Sequence, residues 1–143
     1  MTDSILVPVD DAEMSSHALE YAVTEFDTED ITALHVLDPS QIHTPSGIEA
    51  AAVSRAELLE MHRQRADDIL EDAAATAAEH GVEIETAMHE GKVSRTILEY
   101  VDDHDVDQVV IGSHGRSGAS RVLLGSVAES VARRSPVPVT VVR

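Results

Sequence analysis

Short apolar runs alternate along this chain with segments whose apolar positions recur at helical spacing. Ile5-Leu6-Val7-Pro8-Val9 and the run from Ile31 to Leu37 are continuous and of strand length, and they predict two buried strands. Between them Ala18, Leu19, Ala22, Val23 and Phe26 share one helical face. A loop marked by Pro39, Pro45 and Gly47 leads into a long helical pattern from about Ala50 to His80. Its stripe is Leu59, Ala66, Ile69, Ala73 and Ala77, and Gly81 is placed to end it. From Val82 to Met88 two glutamates alternate with apolar residues, the pattern of a strand with one wet face, at a sheet edge. Gly91 opens a turn, and Ile97, Leu98 and Val101 mark a third helix. Val109-Val110-Ile111 is apolar on both faces and reads as a central parallel strand. Val127 and Val131 anchor a last helix. The final run, Val137-Pro138-Val139-Thr140-Val141-Val142, contains a proline that cannot donate to a ladder, which puts this strand at the other edge.

Strands alternating with helices predict an α/β fold, a doubly wound parallel five-stranded sheet with helices on both faces. With the third and fifth strands at the edges, right-handed crossovers favour the order 3-2-1-4-5. No repeat or second pattern interrupts the chain, so residues 1–143 read as a single domain. In this order the chain reverses direction between the first and fourth strands, and ligands bind at the carboxyl ends of strands at such a point. Two segments meet there: Asp10 with its neighbours, and the loop after Ile111.

That loop runs Gly112-Ser113-His114-Gly115-Arg116-Ser117-Gly118-Ala119-Ser120-Arg121-Val122-Leu123-Leu124-Gly125-Ser126. It is neither a G-x-x-x-x-G-K-[ST] phosphate loop nor a G-x-G-x-x-G dinucleotide fingerprint. Its glycines permit close backbone approach to a ligand, and successive N–H groups there can form an anion-binding nest. Ser126 is positioned to cap the last helix, with Glu129 completing a Ser-x-x-Glu capping box. The helix N-terminus would then face a phosphate. On the residues alone, glycines serving only as turns remain an alternative to this cradle.

Charge narrows the partners. The chain has 27 acidic and 10 basic residues, a net charge of −17, and Lys92 is its single lysine. Such a surface repels nucleic acid and anionic membranes. It also repels itself unless salt screens it, which leads us to expect a salt-adapted protein. There is no cysteine, which excludes disulfides, thiolate metal sites and thiol nucleophiles. The opening Met1-Thr2-Asp3-Ser4 has no basic segment, and the run to Val9 is too short for a signal peptide or membrane span, so a cytoplasmic location is expected.

The glycine spacing Gly112-x2-Gly115-x9-Gly125-Ser126 resembles the G-x2-G-x9-G-[ST] motif of the universal stress protein family in its ATP-binding branch. Leu124-Gly125-Ser126-Val127-Ala128, the ending Ser135-Pro136-Val137-Pro138-Val139, the opening Ile5-Leu6-Val7-Pro8-Val9-Asp10 and Leu34-His35-Val36-Leu37 are similar to the same family, so the resemblance covers the whole chain. It implies ATP as ligand. Gly112, Gly115, Gly125 and Ser126 match residues that hold phosphates and ribose. Asp10 with the Pro8-Val9 backbone matches the nucleoside contact, and Val36 the position whose backbone reads the adenine edge. His114, Arg116 and Val127 match residues along the phosphate path. The resemblance further implies a homodimer that pairs its last strands, here Val137 to Val142, and a role as a nucleotide-dependent regulatory module in stress response.

The chain departs from the family's pattern after Asp10, where Asp11-Ala12 replace a common Gly-Ser. Asp10, Asp11 and Glu13 beside a triphosphate would repel it, which predicts Mg2+-dependent binding. Asp10-Asp11 also resembles the acidic pocket of a phosphorylation receiver, but that site needs an aspartate after the third strand and a lysine after the last; here His89-Glu90 and Lys92 stand instead. The eight histidines contain no H-x-x-x-H pair. His17, His62, His80 and His104 read as solvated helix positions, His35 as facing the core or the site, and His114 as a phosphate donor. No base or lysine clamp is visible, so binding is favoured; the alternative is a slow ATPase, or self-phosphorylation on Ser117 or Ser120.

Overall fold

In chain order the elements are β1 (Ile5–Pro8), α1 (Glu13–Glu25), β2 (Ile31–Leu37), a 3-10 turn at Pro39–Gln41, α2 (Arg55–Glu79), β3 (Glu85–Glu90), α3 (Val93–Asp103), β4 (Gln108–Gly112), α4 (Ser126–Arg134) and β5 (Val139–Val142). They come from a computed structural model that describes residues 4–11, 13–27, 30–42, 54–113 and 124–143. The five strands form one parallel sheet in the order β3-β2-β1-β4-β5. This is the expected order, with β3 and β5 at the edges.

The strand period of two divides the core between the sheet's faces. Ile5, Val7, Ile31 and Ala33 pack with Ala18, Leu19 and Ala22 of α1 and Leu70, Ala73 and Ala77 of α2. Leu6, Leu34, Val109 and Ile111 pack on the other face with Ile97 and Val101 of α3 and Ala128 and Val131 of α4. Because both faces of the central strands are covered, β1 and the Val109–Ile111 stretch of β4 are apolar throughout, as a buried parallel strand must be.

Each helix boundary has a local cause. Ser54 caps α2 by accepting the Glu57 N–H at 3.1 Å. The same helix ends in a paired motif: Val82 N–H donates to the Ala77 carbonyl (3.0 Å) and Gly81 N–H to the Ala78 carbonyl (2.9 Å). Gly81 takes φ +75, which spares the steric cost a side chain would meet there. The helix begins at Arg55 and not near Ala50 as expected, because Ser54 takes an extended conformation and caps it.

Three expectations are corrected. The buried stripe of α2 runs through Ala66, Leu70, Ala73 and Ala77, with Ile69 on its flank, because Leu70 is four residues from Ala66 and so in line with it. The third strand begins at Glu85 rather than Val82; Val82 and Ile84 pack on the α1/α2 core before the ladder starts at the Thr32–Glu85 register. Pro138 stands just before β5 instead of within it, and its carbonyl accepts Val109 N–H at 3.0 Å. Among the described residues, no helix is long and apolar enough to cross a membrane.

Candidate functional site

The sheet opens at one seam. β1 is registered with β2 as far as Pro8–Leu34, and Val9 N–H continues the pairing to the Leu34 carbonyl at 2.8 Å. β4 is registered with β5 through Gly112–Val142, continued by Ser113 N–H to the Val142 carbonyl at 2.8 Å. Between β1 and β4 the register stops at Leu6–Val109. Beyond that rung each strand turns its hydrogen bonds to its outer neighbour, leaving a crevice between Val7–Asp10 and Val110–Ser113. This is the reversal point where ligands bind in open parallel sheets.

On the β1 side the chain is tied down closely. Asp10 N–H donates to Ser15 Oγ (3.1 Å), and the Ser15 hydroxyl donates back to the Asp10 carbonyl (2.9 Å). Ser15 is buried in α1, so its two bonds fix the turn that leads out of β1. His35 Nδ1 lies 2.8 Å from the Val9 carbonyl. A carbonyl only accepts, so Nδ1 carries the proton and His35 acts here as a brace for the end of β1. Val36 is buried in β2, in register with His89 of β3.

On the β4 side, Gly125 N–H donates to the Ser113 carbonyl at 2.6 Å, fastening the start of α4 to the end of β4. This brings Gly112, Ser113, Gly125, Ser126 and Val127 together although 11 residues of sequence separate Ser113 from Gly125 in part. It also corrects the expected capping box. Gly125 is the cap residue, its carbonyl accepting Glu129 N–H at 2.9 Å, and Ser126 is the first residue of the helix. The Ser113 bond fixes the helix start one residue earlier than a serine cap would, and Gly125 has no side chain to cap with. The N–H groups of Ser126, Val127 and Ala128 therefore have no partner within the helix. They and the positive end of the helix dipole lie at the crevice's β4 wall. His114, Gly115 and Arg116, with Ser117 and Ser120, fall outside the described residues.

A cavity of about 170 Å³ adjoins the β1 wall between α1 and α2, lined among others by Val9, Asp10, Asp11, Ser15 and Asp72. Asp11 forms an ion pair with Arg65 of α2. Arg63 reaches Glu90 at the end of β3 (3.3 Å), and Arg55 donates to the Pro39 carbonyl (3.1 Å). The sequence reading missed Arg65, because no spacing pattern connects positions 11 and 65. Elsewhere, His104 stacks on Tyr100 with ring centroids 3.7 Å apart and sends Nδ1 to the Tyr100 carbonyl at 3.1 Å. Burial pushes the Tyr100 phenol above its ordinary pKa of 10.0. Among the described residues, no group of three or more His, Cys, Asp or Glu side chains is placed to hold a metal ion.

The chain is similar to known proteins along its whole length. A family model described as "Universal stress protein family" matches residues 1–143. A universal stress protein of Methanocaldococcus jannaschii is 34% identical over 143 positions, covering 97% of this chain and 81% of the relative. One from Bacillus subtilis is 32% identical over 148 positions and covers 100% of both chains. The solved structure of universal stress protein UspA from Lactobacillus plantarum superimposes with a TM-score of 0.82 at 30% identity, over 99% of this chain and 98% of that one. Two more distant structures share the fold. The protein from Archaeoglobus fulgidus was solved in complex with dAMP (TM-score 0.67, 21% identity, 99% and 98% covered). That from Arabidopsis thaliana was solved with AMP bound (TM-score 0.64, 18% identity, 97% and 90% covered).

Proposed function

This chain belongs to the universal stress protein family, and on that premise we propose that it is an ATP-binding regulatory module of stress response. The observation that carries the reading is the open β1–β4 seam with the N-terminus of α4 fastened to its rim. A crevice between two splayed strands, with a helix N-terminus at its rim, suits phosphate in a chain with few cations to offer. Proteins of this fold solved with dAMP and AMP support adenine as the base.

In this reading Pro8, Val9, Asp10 and Val36 hold the nucleoside. Gly112, Gly115, Gly125 and Ser126 hold phosphates and ribose, and His114, Arg116 and Val127 line the phosphate path. The expected need for Mg2+ rested on uncompensated carboxylates at Asp10, Asp11 and Glu13; Arg65 compensates one of them. The whole chain acts as one nucleotide-binding unit.

The two sheet edges differ in a way that favours a homodimer through β5. β3 exposes Glu85, Thr86, His89 and Glu90, and charge on an edge discourages pairing. β5 is Val-Thr-Val-Val, uncharged and half-buried, an open template for a second copy. The charge of −17 adds an expectation that the melting temperature rises between dilute and molar KCl.

The reading is tested by purifying the protein in high salt, denaturing it, and identifying released nucleotide by mass spectrometry. Recovery of an adenine nucleotide in near-stoichiometric amount is expected. A nucleotide-free protein that also gives no calorimetric signal with millimolar ATP would overturn it. Labelled γ-phosphate appearing on the chain would instead favour the self-phosphorylating alternative.

A further inference from the structure

We infer that His35 is a positioning residue of this site: by drawing the Val9 carbonyl out of the β1–β2 ladder, it leaves the Val36 N–H to an acceptor on the ligand's base. The inference rests on the nucleotide reading above, in which Val36 meets the nucleoside.

In a parallel sheet the backbone groups of a strand turn alternately to its two neighbours. On β2 the Leu37 carbonyl accepts Gly91 N–H from the end of β3, and the Leu34 carbonyl accepts Val9 N–H from the β1 side. Val36 lies two residues from Leu34, so its N–H is turned toward β1 as well. The Pro8–Leu34 register puts the Val9 carbonyl opposite it. That rung is not made: β1 ends at Pro8, and among the described residues the Val36 N–H has no backbone acceptor. Val36 is buried, at 9% exposed, and a buried N–H needs a partner. A ligand seated over the ends of β1 and β2 would supply one.

His35 accounts for the missing rung. Alternate strand residues share a face, so its side chain stands with Ile31 and Ala33 on the side of the sheet covered by α1 and α2. From that side Nδ1–H donates to the Val9 carbonyl at 2.8 Å, out of the plane in which a ladder bond would form. The next residue is held as well, since Asp10 exchanges two bonds with Ser15 of α1. An aliphatic side chain at position 35 would offer Val9 no donor. The Val9 carbonyl would then swing back to the Val36 N–H, which the register already places opposite, and the ladder would lengthen by one bond.

The test pairs amide hydrogen exchange of the ligand-free full chain with calorimetric titration by ATP and by AMP. The variants are His35→Leu, His35→Gln and His35→Asn. His35→Leu should slow exchange at the Val36 amide about tenfold, as one new hydrogen bond would. It should weaken ATP and AMP by the same factor, about tenfold, because the loss lies on the base they share. Gln carries its amide one bond further and should behave as Leu does, which keeps the comparison open if His35→Leu does not fold. Asn places an N–H near the position of Nδ1 and should retain wild-type exchange and affinity. Faster exchange at Val36 in the Leu and Gln variants would mark His35 as a plain stabiliser of the sheet and overturn the inference, while leaving nucleotide binding intact. Unchanged exchange, or unchanged affinity, would overturn it equally. A wild type that binds neither nucleotide would overturn the nucleotide reading, and this inference with it.

Discussion

Two seams of the sheet follow different rules. β2 and β3 are in register over six rungs, from Thr32–Glu85 to Leu37–Glu90, and Gly91 N–H adds a bond to the Leu37 carbonyl at 2.9 Å. β1 and β4 are in register over two, Ile5–Gln108 and Leu6–Val109. The first seam is closed to its carboxyl end, and the second opens well before its own. The comparison teaches that backbone pairing which would have stabilised the sheet has been left unmade at the one place where the topology reverses. Stability should accordingly concentrate at the closed seam and ligand binding at the open one.

The largest effect tests the shared frame. Leu34→Ala removes a fully buried side chain from β2, which borders both regions, and should cost about 2–5 kcal/mol in urea unfolding. A smaller loss would mean that the core relaxes around the deletion. Next comes a break confined to the closed seam. Gly91 has φ +148, and a Cβ there would lie 2.6 Å from Thr96 Oγ1. Gly91→Ala should cost about 1–3 kcal/mol of stability and leave nucleotide affinity unchanged. Adding Thr96→Ala should recover the steric part of that loss and not the backbone part.

The counterpart at the open seam is Ser126→Pro. Proline is tolerated at the first helical position, so the melting temperature should hold. The variant lacks one N–H at the α4 terminus, and ATP affinity should fall roughly three- to tenfold. A drop in stability with affinity intact would reverse the assignment of the two regions. The smallest effect concerns Tyr100, which packs on the β2 side of the sheet. Its phenol is raised by burial above 10.0, with the Thr32 hydroxyl opposing and Glu85 and Asp30 adding to the rise. The folded state therefore keeps this proton longer than the unfolded chain does. The contribution is fully present below about pH 10 and is lost as pH rises through the folded value. Wild type should lose stability above about pH 10 more steeply than Tyr100→Phe in denaturant titrations.

The fold was legible because its signals are redundant. Val109-Val110-Ile111 is apolar at every position, which only a strand covered on both faces tolerates, and the glutamates around β3 mark an edge. Where a single signal had to decide, tertiary contacts overrode it. Ile69 and Leu70 are neighbours of equal hydrophobicity, and helix rotation set by Ala66 and Ala73 chose Leu70. A serine followed by a glutamate three residues later predicts a cap, yet the Ser113 carbonyl claimed Gly125 and moved the helix start. Topology and spacing place Asp10, Gly112 and Gly125 at the sheet's reversal point, whereas the contact of Arg65 was invisible. Its meeting with Asp11 depends on how α2 lies across the sheet, and no local pattern encodes that.

Backbone amide NMR of the full chain, followed during titration with ATP, tests the central claim most directly. The account predicts large shifts at Val9, Asp10, Gly112, Ser113 and from Gly125 to Ala128, with Thr86 to Glu90 unmoved. Shifts centred on the closed β2–β3 seam, or none at millimolar ATP, would contradict it.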